Sequence, residues 1–320
     1  MSTDLVIACS ADEHYAMPLA VMLYSLQANL KNKQKQLEVY VLDGGIRPLT
    51  KQKVVQSLNT DHLRIHWLQP DTTLLQDLAL TRYLTIAAYY RLLLPDVLPH
   101  HVEKVIYLDC DMVVRGDLEA LWQIDVGDHY VLAVQDDNQL TVSMAIGLRN
   151  YQTLGINPDQ KYFNSGLLVI NLQKWRENHL GRKVLAFSQQ NRDFVQDADQ
   201  DGLNAVIAGQ WGQLDPRWNQ LPRIYTYTAW YDSPYDEVSF TALRDAPYVI
   251  HYTNAPKPWQ HGCQHPYTPL FLNYLDQTAW CGWRETIWHR ASRKANKGFR
   301  KAQKLLRAIP TLVQVSERKG

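Results

Sequence analysis

Apolar residues fall in short runs separated by stretches of helical spacing. Residues 5–8, 39–43 and 63–68 are compact apolar runs of strand length, and residues 17–30 and 48–58 place apolar side chains three and four apart. Strand alternating with helix in this way predicts an α/β protein with a mostly parallel sheet. Residues 87–94 read as a further helix ending at Pro95, 117–122 as a short helix opened by Asp117, and 175–190 as a longer one. Residues 131–135, 163–172 and 248–250 read as strands, residue 199 opens another helix, and 211–230, rich in Trp, Tyr, Pro and Arg without a clean period, reads as loop.

One apolar run is broken in an unusual way. Residues 105–114 are apolar except for Asp109 and Asp111, which flank Cys110. Charges inside such a run need compensation. On extended backbone, residues i and i+2 share a side, so the two carboxylates can converge on one hard cation while Cys110 faces the core. The alternative is that one Asp caps the following helix and the other sits in a turn. A third ligand has to come from elsewhere. His251, at the end of the strand 248–250, is of the type that binds Mn²⁺, and Lys257, flanked by Pro256 and Pro258, is a positioned cation suited to a diphosphate.

The other polar residues at element ends divide between structural and chemical readings. Asp12 and Tyr15 stand in the loop after the first strand, where nucleotides bind in open α/β sheets, though Asp12 also suits a helix cap. Arg91 is a charge in apolar surroundings and calls for an anionic partner, a structural salt bridge or a ligand. Asp136 and Asp137 end a strand, and a solvated turn is the plainer reading. Asn164, Ser165 and Gly166 open the strand 163–172, small enough for close backbone approach to a ligand. Asp199 and Asp201 suit a helix start, but Gln200 between them is not required for capping.

Composition narrows the function classes. The 320 residues are 20% charged and 46% hydrophobic, as in folded globular proteins. No apolar stretch reaches the ~20 residues of a membrane span, and Asp4 interrupts any signal-like start. The four cysteines lack zinc or disulfide spacing, which suits a reducing cytoplasm. Neither G-x-G-x-x-G nor a P-loop is present. Net charge is +1, but residues 284–320 carry +9 and the remainder −8. With Trp280, Trp283 and Trp288 leading into it, this basic tail reads as an amphipathic helix for an anionic membrane surface in preference to nucleic acid.

Taken together and in order, residues 11–16, Tyr90-Arg91-Leu92, Leu108-Asp109-Cys110-Asp111, Phe163-Asn164-Ser165-Gly166 with 169–172, Asp199-Gln200-Asp201 with Asn204, and His251-Tyr252 through Lys257-Pro258-Trp259 resemble the retaining glycosyltransferases of family 8, especially bacterial enzymes that add galactose or glucose to lipopolysaccharide-type acceptors. The resemblance implies a GT-A fold, a mixed, mostly parallel sheet flanked by helices, in residues 1–265; residues 266–320 stand outside it and read, from their composition, as an aromatic and basic helical segment. It implies a UDP-glucose or UDP-galactose donor, Mn²⁺ (or Mg²⁺) held by Asp109, Asp111 and His251, and a glycan or glycolipid acceptor. Lys257 would then neutralise the departing diphosphate, Asp12 and Tyr15 contact uridine, and Arg91, Asn164, Asp199 and Gln200 contact the donor sugar. Asp136 would begin the acceptor side. Gln200 is a poor nucleophile, so front-face attack is expected over a covalent intermediate. His14 stands where the family commonly has Asn, and Asn254 where it usually has Gly. The rival functions are a non-catalytic sugar-nucleotide or glycan-binding protein and a UDP-sugar hydrolase. The expected location is cytoplasmic, peripheral to the inner face of the membrane.

Overall fold

The computed structural model describes residues 4–75 and 86–291. Most of the basic tail, from residue 292, lies outside the described residues. Seven strands form one sheet in the order β3-β2-β1-β4-β7-β6-β8: β1 (Leu5–Ala11), β2 (Leu37–Asp43), β3 (Leu63–Leu68), β4 (Lys104–Leu108), β6 (Val131–Gln135), β7 (Phe163–Asn171) and β8 (Gly212–Gln213). A separate antiparallel pair joins β5 (Met112–Val114) to β9 (Val249–His251). In the large sheet only β7 runs against the rest, antiparallel to both β4 and β6. The sheet is therefore mixed and mostly parallel, as in the GT-A fold.

Helices cover both faces. The chain carries α1 (Ala16–Asn29), α2 (Pro48–Gln56), α3 (Leu94–Val97), α4 (Leu118–Trp122), α5 (Leu172–Glu177), α6 (Leu180–Gln190), α7 (Ala198–Val206), α8 (Glu237–Asp245) and α9 (Thr268–Leu275). Side chains alternate across a strand, so Ile106 joins α1 residues Leu19 and Leu23 in one core, while Val105 and Tyr107 join Trp175, Val184 and Leu203 of α5 to α7 in the other. Burial on both faces explains why β4 reads as a continuous apolar run. A third cluster sets Phe271 and Leu275 of α9 against Met17, Val21, Val113 and Ile250, so an apolar face ties the start of the C-terminal segment to the body.

The structure departs from the periodicity in three places. Residues 86–93 form 3₁₀ turns instead of an α-helix, and Pro95 sits in the first turn of α3, where its missing N–H costs nothing. The expected helix 175–190 is two helices. His179 adopts φ 50° between them, and the Arg176 guanidinium on α5 is drawn to the carbonyls of Pro95, Leu98, Pro99, His100 and Val102. The apolar run 105–114 is not one strand, because its two halves belong to different sheets with Asp109 and Asp111 at the crossing.

The reversal of β7 has a positional consequence. Its first residues lie beside the carboxyl ends of β4 and β6, with Leu108 opposite Leu167 and Gln135 opposite Phe163. From α7, the Asn204 side chain accepts from Phe163 N at 2.8 Å and donates to Phe163 O at 2.9 Å, which seats that helix on the start of β7. Replacement of Asn204 by Ala orphans two buried backbone groups. At about 1–3 kcal/mol each, the expected result is a clear fall in the urea midpoint, and an unchanged midpoint would show that this clamp is not structural.

Candidate active site

Several chain segments meet at the carboxyl end of the sheet. Asp109 and Asp111 come from the β4–β5 crossing and His251 from the end of β9, where the register sets Met112 against His251. One ligand atom from each of the three lies within 4.8 Å of the others. His251 Nε2 is 3.3 Å from Asp111 Oδ1 and 3.8 Å from Asp109 Oδ2. Convergence comes from the crossing between sheets and the second sheet's register, not from alternation along one strand. Cys110 points into the core, with its Sγ donating to Ser10 O.

The imidazole is oriented by residues behind it. His251 Nδ1 pairs with Asn219 Oδ1 at 2.9 Å, and Asn219 Nδ2 donates to Asn164 Oδ1 at 2.8 Å. An Nδ1–H bonded to an amide oxygen leaves the Nε2 lone pair toward the carboxylates, the arrangement of a metal-ligating histidine. Gly166 forms the floor. A Cβ there would fall 2.3 Å from His251 Cε1 and 2.9 Å from Asp109 Oδ2, so only glycine fits. Two carboxylates and an imidazole backed in this way fit a divalent cation of the Mn²⁺ or Mg²⁺ kind. The Lys257 ammonium donates to Asp111 Oδ2 at 2.7 Å and to the carbonyls of Tyr252 and Thr253. Burial pushes the Asp111 carboxyl up, but Lys257 and His251 outweigh it and hold the group well below the usual carboxylate range. Asp109 is shifted up by burial and by Asp111 against the pull of Arg91.

Arg91 is the buried cation between two acids. Its Nη2 donates to Asp109 Oδ1 at 2.9 Å, its Nε lies 3.0 Å from Asp199 Oδ2, Nη1 donates to Ser165 O, and the guanidinium stacks on Tyr107. Burial raises the Asp199 pKa and Arg91 pulls it back, leaving it pushed up to about 6. Gln200 is held at both ends of its amide. Its Oε1 accepts from Ser165 N at 2.9 Å, and its Nε2 lies 3.3 Å from Asp136 Oδ2. Asp136 also accepts from Asn164 Nδ2 at 3.0 Å.

The remaining expected residues are placed as follows. Asp12 is not the cap of α1: its carboxylate accepts from the backbone of His14 and Tyr15 and closes the turn that precedes the helix, whose N-cap position is Tyr15, and Tyr15 stands beside Trp259 in edge contact at 5.9 Å. Burial, with Asp111 and Asp109 nearby, raises the Tyr15 hydroxyl above its ordinary pKa. His14 and Asn254 are both exposed. Asp136 and Asp137 are no solvated turn. They are 4% and 3% exposed, Asp137 Oδ1 has no hydrogen-bond partner among the described residues, and burial with Asp136 pushes Asp137 up to about 7 while Arg223 pulls it down. Asp201 accepts from Tyr162 OH and from the backbone of Gln196 and Asp197, so it is the acid that fixes the start of α7. Sequence reasoning missed Asn219. It lies in an aperiodic aromatic stretch, and only the approach of that stretch to β9 gives it a role.

A family model described as "Glycosyl transferase family 8" matches residues 6–263. General stress protein A of Bacillus subtilis (strain 168) is 31% identical over 278 residues, covering 86% of this chain and 94% of the relative. Lipopolysaccharide 1,2-glucosyltransferase of Escherichia coli (strain K12) is 25% identical, covering 87% of this chain and 80% of the relative. A crystal structure of galactosyltransferase LgtC in complex with donor and acceptor sugar analogs is 28% identical, with a TM-score of 0.72 over 86% of this chain and 96% of that one. The ordered residues, the GT-A sheet and a family match spanning the sheet and the site make this chain a member of glycosyl transferase family 8.

Proposed function

We propose that this transferase moves a hexose, glucose or galactose, from a UDP-sugar to a glycan or glycolipid acceptor with retention of anomeric configuration. The observation that carries the reading is the convergence of Asp109, Asp111 and His251 beside Lys257 on one side and the Arg91–Asp199–Gln200 group on the other. Similarity to the lipopolysaccharide glucosyltransferase and to the galactosyltransferase structure supports a hexose donor and a lipopolysaccharide-type or related envelope acceptor.

Asp109, Asp111 and His251 would hold Mn²⁺ or Mg²⁺. The cation, when bound, supplies positive charge to the two phosphates of UDP. Lys257 adds a second positive charge as the diphosphate departs, and Asp12 and Tyr15 border the place for uridine. Arg91 keeps Asp109 and Asp199 apart at a defined spacing around the donor sugar, with Asn164 and Gln200 as neutral partners for its hydroxyls. An amide gripped at both ends is a positioned dipole and a poor nucleophile, so Gln200 would stabilise the positive anomeric carbon while the acceptor hydroxyl attacks from the leaving-group side. A UDP oxygen would take its proton. This front-face course rests on Gln200 lying where a carboxylate nucleophile would otherwise be expected.

The tail belongs to the same proposal. Ile287 and Trp288 are exposed at the end of the described chain, ahead of the basic run, and would seat the enzyme on an anionic membrane near a lipid-linked acceptor.

A panel of UDP-sugars with Mn²⁺, followed by UDP release, should show turnover with UDP-glucose or UDP-galactose, stimulated by acceptor and abolished by EDTA. Folded protein that releases UDP from none of them would end this reading, and release indifferent to acceptor would identify a hydrolase. Because Asp199 must be ionised to accept sugar hydroxyls and its pKa lies near 6, kcat/KM should fall about tenfold per pH unit below that value. Asp199→Asn should be slow and lack this acid limb, whereas an acid limb retained in the variant would assign it to another group. Deletion after Arg284 should abolish co-sedimentation with phosphatidylglycerol vesicles, and unchanged sedimentation would remove the tail from membrane binding.

A further inference from the structure

The start of α7 carries an acid that does not act as its position suggests. Asp197 is the N-cap residue of the helix, where an aspartate side chain ordinarily accepts from the first amides. Its carboxylate makes no capping bond. Asp201 Oδ2 instead turns back to accept from Gln196 N and Asp197 N at 2.6 and 2.9 Å, and Asp197 Oδ2 lies 3.4 Å from Gln200 Nε2. The backbone that aims it there is strained. Ala198, next in the chain, adopts φ 43°, a left-handed conformation that residues with a side chain avoid unless their surroundings impose it. This turn separates Asp197, directed to Gln200, from Asp199, directed to Arg91.

The Gln200 amide is fixed at one end and shared at the other. Oε1 accepts from Ser165 N at 2.9 Å. Nε2 has two hydrogens for three oxygens: Asp136 Oδ2 at 3.3 Å, Asp197 Oδ2 at 3.4 Å and the Tyr162 hydroxyl at 3.4 Å. The Tyr162 hydroxyl already donates to Asp201 at 2.7 Å, and carboxylates draw N–H groups more strongly than a phenol does. The two acids therefore determine where the amide points. Negative charge at Nε2 also polarises the amide and strengthens the negative end at Oε1.

The two acids differ in surroundings. Asp136 is buried, whereas Asp197 is exposed, so a substitution at 197 opens no cavity. One side of Asp197 is open to solvent, but partial enclosure of its carboxyl, then Asp201, Asp136 and Asp199, push it up to about 7. Tyr162 and, through Gln196, Arg149 are the other titratable and charged groups around it.

We propose that Asp197 is a positioning residue of the transfer reaction, its carboxylate joining that of Asp136 to hold the Nε2 end of Gln200 so that Oε1 is presented to the reacting sugar. This deepens the hexosyl-transfer reading and rests on it.

The test is a double-mutant cycle on the full chain with Mn²⁺, acceptor and the UDP-hexose that turns over, followed by transfer of radiolabelled hexose so that large losses stay measurable. Asp197→Ala should lower kcat about tenfold, leave the donor KM within about twofold, and unfold at the wild-type temperature. In a Gln200→Ala background the same substitution should change kcat less than about twofold. Asp197→Asn, which keeps an acceptor oxygen without the charge, should recover part of the loss. Only the ionised acid holds the amide fully, so wild-type kcat should fall about threefold from pH 8 to pH 6.5, a fall absent in Asp197→Asn. An unchanged kcat in Asp197→Ala, an equal loss in both backgrounds, a loss carried by KM, or the wild-type pH dependence in Asp197→Asn would each overturn the proposal. Wild-type turnover with an indifferent Asp197→Ala defeats this inference alone, and absence of wild-type turnover defeats the parent assignment.

Discussion

The site depends on one buried guanidinium. Arg91, 4% exposed, sits between Asp109 and Asp199 and reaches Ser165 O, so it ties the end of β4, the start of β7 and the first turn of α7 together. Burying a charge costs several kcal/mol, and two carboxylates recover that only while all three segments stay in register. The arrangement contributes little net stability for its number of ion pairs. What it supplies is geometry, because neither acid can move without stranding the cation. Asp109 thereby faces Asp111 and His251 on one side and Arg91 on the other, joining the two halves of the cluster.

A second chain, two amides between a carboxylate and an imidazole, does comparable work. Asp136, Asn164, Asn219 and His251 are linked in sequence by hydrogen bonds of 2.8–3.0 Å that run from the end of β6 across β7 to β9. Each amide is used in one orientation only, because reversing one would set donor against donor. The tautomer of His251 is thus determined at a distance by the Asp136 carboxylate. The carboxylate–imidazole cluster and the Asp136 end of the chain are mechanically one object, although they come from different sheets.

The acidic rim beyond this network is balanced differently. Asp137 is buried with an unsatisfied oxygen and drawn up to about 7, whereas Asp136 beside it is bonded to Asn164. Adjacent residues of identical type thus have different chemistry because one found partners and the other lies under the aromatic segment carrying Arg223 and Tyr235.

Much of this protein was legible in its residues alone. Apolar runs of strand length report burial on both sheet faces, a local property, and they located β1 to β4, β6, β7 and β9. The order of rare polar residues at strand ends, from Asp12 to Lys257, identified the family. Tertiary structure decided what depends on residues distant in the chain. Asp109 and Asp111 converge with His251 because the chain crosses between sheets, the expected helix 175–190 breaks at His179, whose positive φ turns α5 into α6, and Asp136 and Asp137 are buried because the 216–236 segment and β7 cover them. Asn219 carries no local signal at all. Periodicity records how each residue meets solvent, while a site records which strands become neighbours, and that is set by long-range register.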